Sequence, residues 1–204
     1  MKKVSVLIPV FNQRECIIRA LDSIPRRDDV EVLVRDDGST DGTLEAVKQY
    51  KENNPELDMR VYANKKNHGF AYTMNRLIPS AKGEFFHAFG SDDYLYTDEY
   101  SRAIDAIGDA DVAIFDIDRN DGFRCYINES NRDVFCGQGL RFIRTEFVKG
   151  IKFPEDRQQG SDYFFHRDMM ARNPKEKFLN ILAYHYNYPN PGSLSYRKIH
   201  GEFG

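Results

Sequence analysis

Three acidic clusters hold the side chains best suited to chemistry: Asp36-Asp37-Gly38-Ser39-Thr40-Asp41-Gly42, Ser91-Asp92-Asp93-Tyr94 and Gly160-Ser161-Asp162-Tyr163. Adjacent carboxylates such as Asp92 and Asp93 repel each other, so a fold tolerates them best where a cation or donor groups compensate. An oxygen-only pair suits Mg²⁺ or Mn²⁺, which take one or two carboxylates and complete their shells with substrate phosphates and water. In the first cluster Gly38 permits a tight turn. A carboxylate there can accept from a nucleobase imide N–H or a ribose hydroxyl. Each cluster also has a plainer reading. Asp92 or Asp93 could form an Asx-turn and cap the helix beginning near Thr97, Asp41 or Thr43 could cap the helix that follows it, and Asp162 could be an N-cap. The five histidines (68, 87, 166, 185 and 200) show no metal-ligand spacing, and His87, inside an apolar run, reads as a hydrogen-bonded core residue. Neither GxGxxG nor GxxxxGK[ST] occurs, so a bound diphosphate would be neutralised by metal and side chains rather than by a glycine-rich nest.

These clusters need elements to position them. Val4–Val10 is a compact apolar run, as in a strand buried on both faces. Cys16, Ile17, Ala20, Leu21 and Ile24 recur at helical spacing and predict a helix over Gln13–Ile24. Strands at Glu31–Arg35, Met59–Ala63, Glu84–Phe89 and Asp111–Asp116 alternate with helices at Thr43–Tyr50, Ala71–Ile78 and Thr97–Ile107. That alternation is the α/β pattern of βαβ units and a mainly parallel sheet. Right-handed crossovers then place the strand-end loops on one edge, where open sheets bind ligands. Phe11-Asn12, Asp36–Ser39 and Ser91–Asp93 should meet there. The second half is less regular: short strands at Phe123–Ile127 and Leu140–Arg144, a helix at Asp162–Arg172, an aromatic strand at Phe178–Tyr188 and a loop-like tail at Pro189–Gly204. Tyr184, Tyr186, Tyr188 and Tyr196 read either as a wall for a sugar or as a half-buried aromatic strand.

Composition narrows the class. The 204 residues are 41% apolar and 30% charged, with a formal net charge of −3, which suits one soluble α/β domain. Near-neutral charge argues against a dedicated nucleic-acid binder, although not against nucleic acid as a substrate. The longest early apolar run, Val4 to Phe11, is too short to span a bilayer, and the start lacks the pattern of a signal peptide. Three cysteines (16, 125 and 136) without a CxxC pair argue against zinc or a disulfide framework and fit a reducing compartment.

With the clusters in this order, the sequence resembles a family 2 glycosyltransferase of the GT-A fold. Val4-Ser5-Val6-Leu7-Ile8-Pro9-Val10-Phe11-Asn12 resembles the family's opening strand, and Glu31 to Thr43 its most specific signature. Asn67-His68-Gly69 with Asn75, then Ala81-Lys82-Gly83-Glu84-Phe85, resembles the stretch leading into the metal motif. The likeness thins over 96–150 and returns at Phe153–Arg167 and Tyr186–Ser195. Many members carry Asp-x-Asp-Asp at the metal motif and Glu before the base; Gly90 and Ser161 stand at those places here.

The resemblance implies a Rossmann-type, nucleotide-diphospho-sugar transferase-like sheet flanked by helices. Residues 1–95 would form the nucleotide-sugar half, 96–188 the acceptor side and 189–204 a tail. It implies an inverting transfer from a nucleotide sugar, UDP-linked, to an acceptor hydroxyl, with Mn²⁺ or Mg²⁺ as cofactor, as in polysaccharide synthesis. Pro9, Phe11, Asn12, Asp37, Asn67, Gly69, Asn75 and Asp92 would bind the nucleotide, Asp93 the metal, and Asp162 would be the general base. The acceptor could be a carbohydrate, a lipid-linked sugar or another hydroxyl, with a partner protein completing that side. The setting would be the cytoplasm, free or peripheral to a membrane. Two other readings stay open: a nucleotide-sugar-binding module without turnover, and a sugar nucleotidyltransferase.

Overall fold

The computed structural model describes residues 1–132, 138–156 and 160–188. The tail and Tyr196 lie outside them. Among the described residues nine strands form one sheet: β1 (Val4–Val10), β2 (Val30–Asp36), β3 (Met59–Ala63), β4 (Phe85–Ala88), β5 (Tyr94–Leu95), β6 (Val112–Arg119), β7 (Arg124–Cys125), β8 (Arg141–Arg144) and β9 (Glu176–Tyr186). Their order is β3-β2-β1-β4-β8-β6-β9-β5, with β7 paired to β6. The helices are α1 (Ile17–Asp22), α2 (Thr43–Asn53), α3 (Phe70–Leu77), α4 (Thr97–Ala106) and α5 (Ser161–Met170).

β1 lies between β2 and β4, parallel to both, and Val4, Val6, Leu7 and Ile8, which point to opposite faces in turn, are fully buried, so both faces are covered. This is why its sequence is a continuous apolar run rather than an alternation. The sheet is less uniformly parallel than the first half predicts. β8 runs antiparallel to both β4 and β6, which leaves β6, and β9 beside it, parallel to β1. The carboxyl ends of β1, β2, β4, β6 and β9 therefore share one edge.

Several elements differ from expectation. α1 begins only at Ile17, because Asn12 takes a left-handed φ of 51° and the chain turns over Gln13–Cys16. Around Phe123–Ile127 only Arg124–Cys125 pairs, and β5 forms where the sequence suggested only a loop.

His87 is the core residue its surroundings predicted. It is fully buried among Phe89, Tyr100, Phe115, Phe142 and Tyr184. Its Nε2–H donates to the Gly139 carbonyl at 2.9 Å, leaving Nδ1 to accept the Tyr100 hydroxyl at 2.7 Å. Burial lowers its pKa from 6.5 to about 4, so the folded state keeps it neutral. The unfolded chain binds this proton below pH 6.5, so the stability it contributes is present above that value and lost as pH falls towards 4. Urea denaturation is expected to show a loss of about 3 kcal/mol across that window, and His87→Phe should flatten the slope.

Candidate active site

The loops at the ends of β1, β2 and β3 are tied into one wall. Beyond β1, Phe11 presents its ring to solvent at 40% exposure, while Pro9 is half-buried opposite Arg35. Asn12 accepts the Thr40 N–H at 2.9 Å, and its own N–H donates to Ser39 Oγ at 2.9 Å. Asn12 thus joins the β1 and β2 loops. Asp41 accepts from the Thr43 N–H and hydroxyl with one oxygen and from the Arg14 N–H with the other. It therefore secures the start of α2, as the capping reading proposed, from one residue before the Gly42 cap position.

Gly38, at φ 77°, packs so closely on the next loop that a Cβ would lie 2.6 Å from the Lys66 carbonyl carbon and 2.9 Å from the Asn67 nitrogen. The two aspartates before it diverge. Asp36 accepts the Gly38 and Ser39 N–H groups, whereas Asp37 accepts from Asn64 Nδ2 at 2.7 Å, the His68 N–H at 3.0 Å and the Gly69 N–H at 2.6 Å. Asp37 is therefore a clamp on the Asn67–Gly69 loop, and Asn67 itself is exposed. Sequence reasoning missed Asn64, whose partner is 27 residues away.

Asn75 departs from the expected nucleotide contact. Its amide donates to the Phe153 carbonyl at 2.8 Å and to Glu155 at 2.9 Å, and its oxygen accepts the Phe153 N–H at 2.9 Å. The amide is spent on joining α3 to the segment before α5. Phe153 extends that join: it meets Phe70 edge-on at 5.4 Å and stacks on Phe165 of α5 at 4.1 Å. The start of α5 is thereby fixed to the start of α3. Asp162 is half-buried in the first turn of α5, and the cap position belongs to Gly160 at φ 74°. The N-cap reading of Asp162 is thus replaced by a first-turn position, where the helix dipole favours a carboxylate.

Asp92 and Asp93 do not cap α4 either, since that position is Tyr96. Asp93 is 3% exposed, accepting the Tyr184 hydroxyl on one oxygen and the Asn187 N–H at 2.8 Å on the other. Burial, reinforced by the Asp92 charge, pushes its pKa up to about 7. Arg19 opposes this: it donates to the Asp92 carbonyl at 2.5 Å and lies over Tyr94. Gly90 has a steric reason, because a Cβ there would overlap the Asp93 carboxylate. Of the two readings open for the tyrosines, a sugar wall or an aromatic strand, Tyr184 takes the second: it lies in β9, buried against Asp93, while Tyr186 and Tyr188 are half-buried and stacked at 5.9 Å. Arg19 carried no motif that would have revealed it, and the sequence marked Tyr184 and the Tyr186–Ser195 stretch without showing that Tyr184 and Asn187 meet Asp93.

A metal fits these residues in a restricted way. Among the described residues no group of three or more His, Cys, Asp or Glu converges on one point. Two adjacent carboxylates, one of them buried with its charge disfavoured, suit a hard cation whose remaining ligands come from phosphate and water. Each Asp93 oxygen keeps a lone pair beyond the hydrogen bond it accepts.

The glycosyl transferase family 2 model matches residues 5–170. The chain belongs to this family. It is 27% identical over 206 residues to the poly(ribitol-phosphate) beta-N-acetylglucosaminyltransferase TarS of Staphylococcus aureus, covering 91% of this chain and 35% of the relative. It is 38% identical over 97 residues to the chondroitin synthase of Pasteurella multocida, covering 47% of this chain and 10% of the relative. The chain thus spans about a third or less of these relatives. The structure of S. aureus TarS residues 1–349 with UDP superposes with a TM-score of 0.77 at 24% identity, covering 93% of this chain and 61% of that one. The Pyrobaculum calidifontis mannosyltransferase PcManGT with GDP-Man and Mn²⁺ gives 0.75 at 19%, covering 96% and 59%. The shared fold is GT-A. Among the described residues no helix is long and apolar enough to cross a membrane.

Proposed function

We propose that this family 2 domain transfers a sugar from a UDP-sugar to an acceptor hydroxyl with inversion, using Mn²⁺ or Mg²⁺. The observation that carries the reading is Asp93, a buried carboxylate beside a second negative charge, on the edge that also holds the Asp37-clamped loop. UDP as the donor nucleotide is supported by the TarS complexes with UDP and UDP-GlcNAc.

Phe11 offers an exposed face to the base, Asn12 ties the loop behind it to the β2 loop, and Pro9 is half-buried in β1 just before it. Asp37 holds the His68 and Gly69 amides where the nucleoside would lie. Asp93, with Asp92 beside it, would hold the cation. That cation supplies Lewis-acid stabilisation of the charge developing on the leaving diphosphate, worth several kcal/mol in general. Asp162 removes the acceptor proton as the hydroxyl oxygen bonds to the anomeric carbon and the bond to the diphosphate breaks. Single displacement inverts that centre.

Titrating UDP with and without Mn²⁺, then assaying a panel of UDP-sugars for hydrolysis and transfer, tests the proposal. Metal-stimulated binding with turnover is expected; binding without turnover on any donor would leave only a binding module. Asp37→Ala strands three donors and should weaken UDP binding about 10- to 100-fold. Calorimetric titration checks this, with the unfolding temperature as a fold control, and unchanged affinity would remove Asp37 from the site.

A further inference from the structure

The β3 edge of the sheet carries a cluster that the proposed chemistry leaves unused. Arg35 of β2 packs over the Tyr62 ring at 4.8 Å and donates to Asn64 at 3.2 Å. Its Nε is buried with no hydrogen-bond partner, and among the described residues the guanidinium forms no ion pair. Burial, and then the like charge of Arg76, hold its pKa below the ordinary arginine value. Arg76 of α3 lies 3.1 Å over the Tyr72 ring, which also stacks on His68 at 4.1 Å and 12°. Lys65 and Lys66 are exposed and directly follow Asn64, the residue that accepts from Arg35, in the loop held by Asp37. Glu155 pairs with Arg76 at 3.3 Å, and Asp37, the other nearby carboxylate, is occupied by its three donors.

A half-buried guanidinium that forms no ion pair, with a second arginine beside it and only the hydrogen-bonded Asp37 as nearby negative charge, is stabilised by a further anion. Planar guanidinium groups suit oxyanions with two oxygens to offer, namely phosphates and carboxylates. The cluster adjoins the proposed donor site at both ends. Asn64 bridges Arg35 to Asp37, and Glu155 lies on the segment leading to α5 and Asp162. A chain passing from this edge to the hydroxyl-activating residue would bring repeated anionic groups over the cluster.

We infer that Arg35, Lys65, Lys66 and Arg76 form a binding surface for an acceptor polysaccharide bearing phosphodiester or uronate groups. Its role as an acceptor surface rests on the transferase reading; binding itself does not require the donor.

The test is fluorescence anisotropy with three labelled oligosaccharides of equal length: a polyol-phosphate oligomer, a uronate-containing one and a neutral one. At low salt one or both anionic probes are expected to bind at least about tenfold more tightly than the neutral probe, and the advantage should shrink at high salt. The two anionic arms distinguish the source of the charge. Lys65→Gln/Lys66→Gln should lose about tenfold in anionic-probe affinity, Arg76→Gln should weaken it likewise, and UDP binding to the lysine variant should stay within about twofold of wild type. Equal affinity for the neutral probe, or wild-type affinity in both charge variants, would overturn the inference. Equally tight binding of duplex nucleic acid or anionic vesicles would overturn it too, leaving a non-specific basic patch. A separate UDP titration showing no binding would overturn the transferase reading, and the acceptor assignment with it.

Discussion

Asp93→Asn should stabilise the ligand-free protein above pH 7 while removing metal-stimulated nucleotide binding. Asp93 has a folded pKa of about 7 against 3.8 in an unfolded chain, because burial and the Asp92 charge disfavour its ionised form. For an acid raised in this way the unfolded state releases its proton first, so stability falls as pH rises from about 3.8 to about 7 and stays reduced above that. Linkage sets the loss at about 4 kcal/mol. Asparagine keeps the shape, can still accept the Asn187 N–H, and cannot ionise. Urea denaturation without metal is expected to show the variant more stable at pH 8, with the gap closing towards pH 4. In the same variant the affinity for UDP with Mn²⁺ should fall by about 10²-fold or more, since even outer partners of metal ligands cost 10–100-fold. A variant no more stable than wild type at pH 8 would show that burial does not hold Asp93 under this penalty. Unaltered metal dependence would remove Asp93 from the site.

The second large effect is catalytic. Asp162→Asn should spare donor affinity and lower the transfer rate by about 10²–10⁴, the usual contribution of a positioned general base. Asp162 lies in the first turn of α5, which the Phe70–Phe153–Phe165 contacts hold to α3. The variant should therefore fold normally. Steady-state kinetics would show kcat falling with the donor KM unchanged. A wild-type rate would assign the base to another group.

Much of the first half was legible because its signals are local. Continuous apolar runs mark strands buried on both faces, and short helical patterns between them imply parallel connections; β1, β2 and β4 follow that logic, with the half-buried β3 parallel at the edge. The second half was harder to read because a short strand carries no record of its direction: Leu140–Arg144 reads as a strand, but only the pairing shows β8 antiparallel to β4 and β6, and two-residue β5 leaves no pattern at all. Gly90 illustrates the same limit. By sequence it is a missing carboxylate; in the fold it is the space that the Asp93 side chain fills.

Residue order alone determined the family, the edge on which strand-end loops gather and the acidic segments brought to it, since these follow from hydrophobic patterning and short motifs. Tertiary structure decided what each acid does there. Asp37 grips a loop, Asn75 joins two elements, and Asp93 meets Tyr184 and the Asn187 backbone across 91 and 94 residues of chain. Hydrogen bonds over such separations exist only once the sheet has assembled, so no local pattern records them.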